Sequence, residues 1–140
     1  MDIINRKNNQ KSFGLHLTLD LYKCAQDKLA DIDYCFKALY ELPNLINMHI
    51  LLPPIITHAD SNELDGGTDP GGFSGFVMIK ESHISLHTFI KRGFVSIDAY
   101  SCKQFDVDFV INYFKNIFKA QDTEIHIVVR GKKYPNHNIY

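Results

Sequence analysis

Residues 75–101, GFVMIKESHISLHTFIKRGFVSIDAYS, contain three β-rich segments with almost no sequence between them. Apolar and polar residues alternate within each segment, as they do in a strand with one buried face. The segments are Gly75–Lys80, Ser82–Ile90 and Phe94–Ser101, and residues 91–93 form a short turn between the last two. This stretch predicts an antiparallel meander at the centre of the fold.

The chain before the meander predicts a strand, a helix and a second strand. Alternate leucines from Leu15 to Leu21 indicate the first strand, and Asp27 precedes a helical pattern that Pro43 is expected to end. Residues 47–52 predict the second strand, which is stopped by two prolines because proline cannot donate to the ladder. Residues 57–72, rich in Gly, Asp and Pro, are predicted to form a loop.

The chain after the meander predicts a second helix and a last strand. An apolar stripe at helical spacing covers about residues 106–120, and residues 123–130 alternate as a strand does. The order β-α-β-β-β-β-α-β predicts an α+β two-layer sandwich, with two main helices on one face of an antiparallel β-sheet. Residues 1–140 are expected to form a single domain, large enough for a core without disulfides.

Charge and cysteine content exclude several classes of protein. Fifteen basic and 16 acidic side chains give a net charge of −1, so the basic excess typical of nucleic-acid and membrane-surface proteins is missing. Cys24, Cys35 and Cys102 are odd in number and widely spaced, which fits neither a disulfide scaffold nor a zinc site, and the first two are expected only to pack. No apolar run approaches a membrane span or a signal sequence. We expect a cytoplasmic protein with a small-molecule substrate and no nucleic-acid or membrane partner.

One face of the hairpin at residues 82–101 is rich in reactive side chains. If both strands alternate, this face gathers His83, Ser85, His87, Ser96, Asp98, Tyr100 and Cys102. The ordinary explanation is a sheet face in contact with water. A shared metal ion is not expected, because four residues on a strand separate His83 from His87 by roughly 13 Å. A serine hydrolase is not expected either, because the chain has no GxSxG nucleophile elbow.

Two strings from this region resemble a known family. SGFVMIKESHISLHTF at residues 74–89 and GFVSIDAYSC at residues 93–102 closely resemble the core of the prokaryotic-type S-adenosylmethionine decarboxylase proenzymes, which are pyruvoyl-dependent. HLTLDLYKC at residues 16–24 resembles the family's opening strand. The similarity covers about residues 14–130, and Glu-Ser-His with a second histidine five residues after the serine is a specific signature.

The resemblance implies a protein that cuts itself to make its own cofactor. The Ser82 hydroxyl would attack the Glu81–Ser82 peptide bond, and β-elimination of the resulting ester followed by hydrolysis would leave a pyruvoyl group. The products would be a β chain of residues 1–81 and an α chain of residues 82–140. The pyruvoyl ketone forms a Schiff base with a substrate amine and accepts the electrons released with carbon dioxide, so pyridoxal phosphate and a metal are not expected.

The resemblance also implies roles for individual side chains. His87 matches the histidine that accepts a proton during processing, Ser74 a serine that supports the acyl shift, and Cys102 the proton donor in decarboxylation. Without the family match, Ser74 would be a turn residue, His87 a surface histidine and Cys102 a small buried side chain. Glu81 is expected at the cleavage site and near the substrate. His83 and His16 fit the family motifs but receive no role.

One position departs from the family pattern. The family reads His-Thr-Trp/Phe-Pro-Glu, and its glutamate binds the ribose hydroxyls of the substrate, whereas residues 87–91 here read HTFIK. Lys91 therefore stands at the glutamate position, and an ammonium group cannot accept hydrogen bonds from hydroxyls. Either an acidic residue of the 60s loop replaces the carboxylate, or the same chemistry acts on arginine or ornithine. The acidic candidates are Asp60, Glu63, Asp65 and Asp69.

The sequence thus predicts an autoprocessing carboxy-lyase that makes decarboxylated S-adenosylmethionine, the aminopropyl donor for spermidine synthesis. Resemblance to the family implies a homodimer of processed αβ units. A regulatory paralogue that never processes is the non-enzyme alternative. The joint presence of Ser82, His87 and Cys102 argues against it, because a binding module has no use for all three.

Overall fold

A computed structural model describes residues 13–140 of the protein. Within these residues, the strands are β1 (Gly14–Tyr22), β2 (Ile55–Ala59), β3 (Gly72–Ile79), β4 (Ser82–Phe89), β5 (Phe94–Ser101) and β6 (Asp122–Arg130). The helices are α1 (Gln26–Leu29), α2 (Ile32–Leu45) and α3 (Val107–Phe118). The strands form one antiparallel sheet in the order β2-β3-β4-β5-β1-β6. The predicted α+β architecture and its central meander are confirmed.

The core lies between the helices and one face of the sheet. Strands β1 and β5 align in register, so that Leu19 stands opposite Ile97, and α2 and α3 pack apolar stripes on this layer. Each of these helices begins at an aspartate cap, with Asp31 accepting from the Tyr34 N–H and Asp106 from the Phe109 N–H. The most deeply buried side chains are Leu17, Leu19, Leu21, Leu29, Leu39, Leu42, Val77, Ile84, Leu86, Val95, Ile97, Val110, Phe114 and Phe118.

Two of the three cysteines pack into this core, as expected. Cys24 is buried and Cys35 is fully buried. Burial disfavours the thiolate and raises the pKa of Cys24 to about 11 and that of Cys35 to about 12. Neither thiol is therefore reactive at neutral pH.

The predicted strand at residues 47–52 is wrong. In this segment only an isolated bridge from Ile50 to Ile79 pairs with the sheet, and the true strand, β2, begins after the two prolines. β2 is an edge strand, where a preceding proline removes no needed ladder bond, so the prolines introduce the strand rather than end it. The predicted loop at residues 57–72 consequently starts only after Ala59.

The first predicted helix is broken in two, and it extends past its predicted end. Asp31 separates α1 from α2 because its side chain caps a new helix start. Pro43 lies in the last turn of α2, which continues to Leu45, so the helix ends two residues after the proline and not before it. No helix within residues 13–140 is long and apolar enough to cross a membrane.

The second face of the sheet, called the open face below, carries the side chains that point away from the helices. Its residues are exposed or half-buried, whereas most residues of the opposite face are buried. The polar face predicted for the β4–β5 hairpin belongs to it. From β1, β3, β4 and β5 the open face includes His16, Asp20, Ser74, Phe76, Met78, His83, Ser85, His87, Phe89, Phe94, Ser96, Asp98 and Tyr100.

Candidate active site

The predicted cleavage site lies in the tight turn between β3 and β4. Ile79 pairs with Ser82, so Lys80 and Glu81 form a two-residue hairpin turn. Such turns usually contain residues with positive φ, which Gly and Asn adopt most easily. Here the positive φ falls on Ser82, at 149°. An L-residue in this region carries strain of about 1–3 kcal/mol, so the strain sits at one side of the Glu81–Ser82 bond.

The carbonyl of the same peptide bond has a fixed hydrogen-bond partner. The backbone N–H of Cys102, just after the end of β5, donates to the Glu81 carbonyl oxygen at 2.8 Å. Ser101 pairs with Ser82 in the β4–β5 register, which brings Cys102 beside the turn. The Cys102 side chain is exposed and its thiol is free. The structure therefore places the Cys102 backbone at the Glu81–Ser82 bond.

The Glu81 side chain is buried and hydrogen-bonded to His49, an arrangement that the sequence did not reveal. His49 donates its backbone N–H to Oε2 at 3.1 Å and places its ring Nδ1 2.7 Å from Oε1. Burial raises the pKa of Glu81, but the hydrogen bonds from His49 outweigh it and hold the pKa below its usual value. His49 lies in the segment wrongly predicted as a strand and outside the family motifs, so no sequence signal pointed to it.

Ser74 and His87 form a second pair on the open face. They are cross-strand partners in β3 and β4, and Ser74 Oγ lies 2.8 Å from His87 Nδ1. His87 follows Ser82 by five residues on one continuous strand, which separates them by about 16 Å. The structure therefore unites Ser74 with His87, and Cys102 with the cleavage bond, but it does not bring the two pairs together within one chain.

His16, His83, Asp98 and Tyr100 of the open face have other contacts. His16 Nε2 lies 2.7 Å from Asp98 Oδ1, and the Arg130 guanidinium lies 4.1 Å from the centre of the Tyr100 ring. The rings of His16 and His83 both approach that of Tyr100 at 5.7 Å. These contacts support the sheet and give neither histidine a chemical role. Within residues 13–140 no three His, Cys, Asp or Glu side chains are grouped to hold a metal ion.

Lys91 lies at the far end of β4, in the turn formed by Ile90–Arg92. The neighbouring Arg92 donates from Nη2 to Glu63 Oε1 at 3.0 Å, which ties the 60s loop to this turn. Asp69 accepts a hydrogen bond from the Gly71 N–H, and Asp60 pairs with His58. Both carboxylates therefore contact residues within two positions of themselves in the chain. Of the acidic candidates, Glu63 is the one bonded to this turn, through Arg92.

The chain is similar to known proteins of one family. The profile of a family described as S-adenosylmethionine decarboxylase matches residues 15–131. S-adenosylmethionine decarboxylase proenzyme of Clostridium botulinum is 31% identical over 123 residues, which is 87% of this chain and 97% of that protein. The proenzyme of Geobacillus kaustophilus is 30% identical over 122 residues, 87% of this chain and 90% of that protein.

A solved structure supports the fold independently. The crystal structure of adenosylmethionine decarboxylase from Aquifex aeolicus matches with a TM-score of 0.72 and 22% identity, covering 91% of this chain and 98% of that one. At 22% identity the match shows the fold alone, and it confirms the predicted α+β architecture. The family profile and the proenzyme relatives confirm the predicted enzyme class, a carboxy-lyase. This chain belongs to the S-adenosylmethionine decarboxylase family, in its prokaryotic proenzyme type.

Proposed function

We propose that this chain is a self-cleaving, pyruvoyl-dependent decarboxylase of S-adenosylmethionine that acts in the cytoplasm as a homodimer. The observation that carries the proposal is the geometry of the Glu81–Ser82 peptide. Its carbonyl oxygen accepts a hydrogen bond from the Cys102 N–H, and the serine that follows has a strained φ of 149°. A serine at this position fits the expected pyruvoyl group, which derives from a serine side chain. The relatives are named as proenzymes, which agrees with a precursor that is cut.

The first step of processing is an acyl shift within the turn. Ser82 Oγ attacks the carbonyl carbon of Glu81, a C–O bond forms, and the C–N bond to Ser82 breaks. Negative charge develops on the Glu81 oxygen, and the Cys102 N–H at 2.8 Å is placed to stabilise it as an oxyanion-hole donor does. Breaking the peptide bond also releases the strain at Ser82, so it favours the ester product.

The second step removes a proton and releases the first chain. A base takes the Ser82 Hα, the Cβ–Oγ bond breaks, and Glu81 leaves as a free carboxylate. Water then hydrolyses the dehydroalanine, with loss of ammonia, to leave the pyruvoyl group at the start of residues 82–140. We assign the base to His87, whose Nδ1 lies 2.8 Å from Ser74 Oγ and is thereby held in one orientation.

His87 must come from a second copy of the chain. Its distance of about 16 Å along β4 from Ser82 is too long for a proton transfer within one chain. A two-fold dimer that joins the open faces would give each cleavage turn the Ser74–His87 pair of the partner subunit. The open face also exposes Ile55, Phe76 and Met78 on β2 and β3, an apolar patch of the kind that marks an interface.

Decarboxylation then uses groups already placed at the turn. A pyruvoyl group, once formed, supplies the electron sink for loss of carbon dioxide from an α-amino acid. The Cys102 backbone lies at the turn and its thiol is exposed, so we assign it the return of a proton to the substrate α-carbon. Glu81, at the new chain end, stays next to the reacting atoms through the Cys102 contact.

The substrate proposal rests on the family and on Glu63. The Arg92 bond holds the Glu63 carboxylate at the turn that contains Lys91, and ribose hydroxyls need such an acceptor, so S-adenosylmethionine remains the favoured substrate. The product would be decarboxylated S-adenosylmethionine, an aminopropyl donor for spermidine synthesis. Lys91 at the expected glutamate position keeps arginine or ornithine as the second candidate.

Intact-mass analysis of the purified chain, followed by carbon dioxide release assays, tests the proposal. We expect two chains of residues 1–81 and 82–140, the second beginning with a pyruvoyl group, and turnover of S-adenosylmethionine. A chain that stays whole, or is cut elsewhere, would overturn the mechanism and favour a non-processing regulatory paralogue. Turnover of arginine or ornithine without S-adenosylmethionine would overturn the substrate while leaving the chemistry standing.

A further inference from the structure

We propose that His49 is a positioning residue for self-cleavage, because it holds Glu81 so that the Glu81–Ser82 carbonyl faces the Cys102 N–H. The inference rests on the proposed function and adds a residue to its machinery. His49 follows the C-terminal end of α2, in a segment that lies along the end of β3. It is 32 positions away from Glu81 in the sequence, so only the fold brings the two together.

The contact between His49 and Glu81 is double and charge-assisted. The backbone N–H donates to Oε2 at 3.1 Å, and ring Nδ1 lies 2.7 Å from Oε1, so each carboxylate oxygen has its own partner. An ionised carboxylate only accepts hydrogen bonds, and Nδ1 therefore carries the proton. The Glu81 side chain is 8% exposed and the His49 side chain 69% exposed, so the acid is sequestered while the outer edge of the ring meets solvent.

A third bond fixes the backbone of the same segment. The Lys80 N–H donates to the His49 carbonyl oxygen at 2.8 Å. His49 therefore forms hydrogen bonds with both residues of the turn, Lys80 and Glu81. From the opposite side, the Cys102 N–H holds the Glu81 carbonyl at 2.8 Å. Because the peptide unit is planar, fixing the Glu81 side chain and its carbonyl oxygen also fixes which face of the carbonyl carbon Ser82 Oγ can reach. Small errors in such a geometry slow a reaction strongly.

Loss of the ring would leave a buried carboxylate with one partner in place of two. A buried acceptor without its partner is unfavourable, so Glu81 would turn toward water and rotate the carbonyl away from Cys102. An asparagine at position 49 restores the donor, because its side-chain nitrogen is attached to Cγ just as histidine Nδ1 is. The chain also offers a matched control in His58, which pairs with Asp60 at 3.2 Å on the exposed β2 edge, away from the turn.

The test compares His49→Ala, His49→Asn and His58→Ala. Self-cleavage is timed by intact mass on folded precursor, and hydrogen exchange of the Cys102 amide is measured in the same variants made in uncleavable Ser82→Ala precursor. We expect His49→Ala to slow cleavage by about tenfold or more and to speed exchange at Cys102. We expect His49→Asn to stay within about threefold of wild type in both readouts, since it keeps the donor, and His58→Ala to match wild type.

The outcomes separate this inference from the proposed function. A wild-type chain that cleaves normally while His49→Ala cleaves equally fast would overturn the role of His49 alone. His49→Asn as slow as His49→Ala would show that the ring packs rather than donates, and would also overturn it. A wild-type chain that never cleaves would overturn the proposed function, and the positioning role with it.

Discussion

The backbone N–H of Cys102 donates to the carbonyl oxygen of Glu81 at 2.8 Å. One residue thus has two separable parts at the cleavage turn. Its amide contacts the oxygen of the bond that we propose to break. Its thiol is free and exposed, and we propose that it acts on the group that forms there. Substitution of the side chain should therefore leave the first function intact and remove the second.

Cys102→Ala should cleave at close to the wild-type rate, because alanine keeps the backbone N–H. Its carbon dioxide release per cleaved chain should fall by about 10²–10⁴-fold, the usual contribution of a positioned acid. Intact mass measures the first quantity and a release assay the second. Wild-type turnover in the cleaved variant would remove the thiol as proton donor.

Replacement of Ser82 should reveal the strain at the turn. Both Ser82→Ala and Ser82→Gly lack the hydroxyl and should remain whole. Glycine tolerates the φ of 149° without the clash of a Cβ. The free energy of unfolding of Ser82→Gly should therefore be about 1 kcal/mol higher than that of Ser82→Ala, once the entropy penalty of glycine is subtracted. Urea unfolding of the two precursors measures the difference. Equal free energies of unfolding for the two variants would show that the backbone at Ser82 is not strained.

Two inactive variants should complement each other if the processing base comes from the partner subunit. A Ser82→Ala chain keeps His87 but cannot be cut, and a His87→Ala chain keeps Ser82 but lacks the base. Each homodimer should stay whole, whereas the mixed dimer should cleave the His87→Ala chain, because about 16 Å separates Ser82 from its own His87. Differently tagged chains, co-expressed and resolved by mass, provide the readout. Absence of cleavage in a verified mixed dimer would contradict a shared site.

Acidification should weaken the precursor through Glu81. Burial raises the pKa of this carboxyl, but the His49 hydrogen bonds outweigh burial and hold the folded pKa below the ordinary 4.5. A group with a lowered pKa stabilises the fold fully above its unfolded pKa, and the contribution fades as the pH falls through the folded value. In uncleavable Ser82→Ala precursor, unfolding free energy should therefore fall more steeply below about pH 4.5 than in the same chain carrying Glu81→Gln. If unfolding free energy falls equally with pH in both precursors, the His49 hydrogen bonds do not stabilise ionised Glu81.

The sequence predicts those parts of the structure that depend on residues close together in the chain, and it misses contacts between residues far apart in the chain. The β3–β5 meander and α3 could be predicted because alternation and helical spacing are local signals. The strand at residues 47–52 was misplaced because the same apolar residues suit a strand or a segment packed under the sheet. The two prolines precede a strand instead of ending one because β2 lies at the edge of the sheet. The His49–Glu81 pair has no local pattern at all.

The candidate site shows the same limit. Ser74, Ser82, His87 and Cys102 could be named because family motifs contain them, and Ser74 and His87 do meet across β3 and β4. Their division into two pairs about 16 Å apart follows from strand geometry once the register is known. Glu63 could be selected from the acidic candidates only through its contact with Arg92.

The substrate should depend on the charges around the turn at Ile90–Arg92. Lys91→Glu restores a carboxylate where the family pattern has one, and an added hydrogen bond to a charged acceptor corresponds to roughly a tenfold lower KM for S-adenosylmethionine. Glu63→Gln should raise that KM by a similar factor if the Arg92-held carboxylate now binds the ribose. Steady-state decarboxylation with S-adenosylmethionine, arginine and ornithine measures both changes. If Glu63→Gln leaves the KM for S-adenosylmethionine unchanged, Glu63 does not replace the family glutamate. If Lys91→Glu also abolishes turnover of arginine or ornithine while S-adenosylmethionine is never used, the turn has been adapted to a different amino acid.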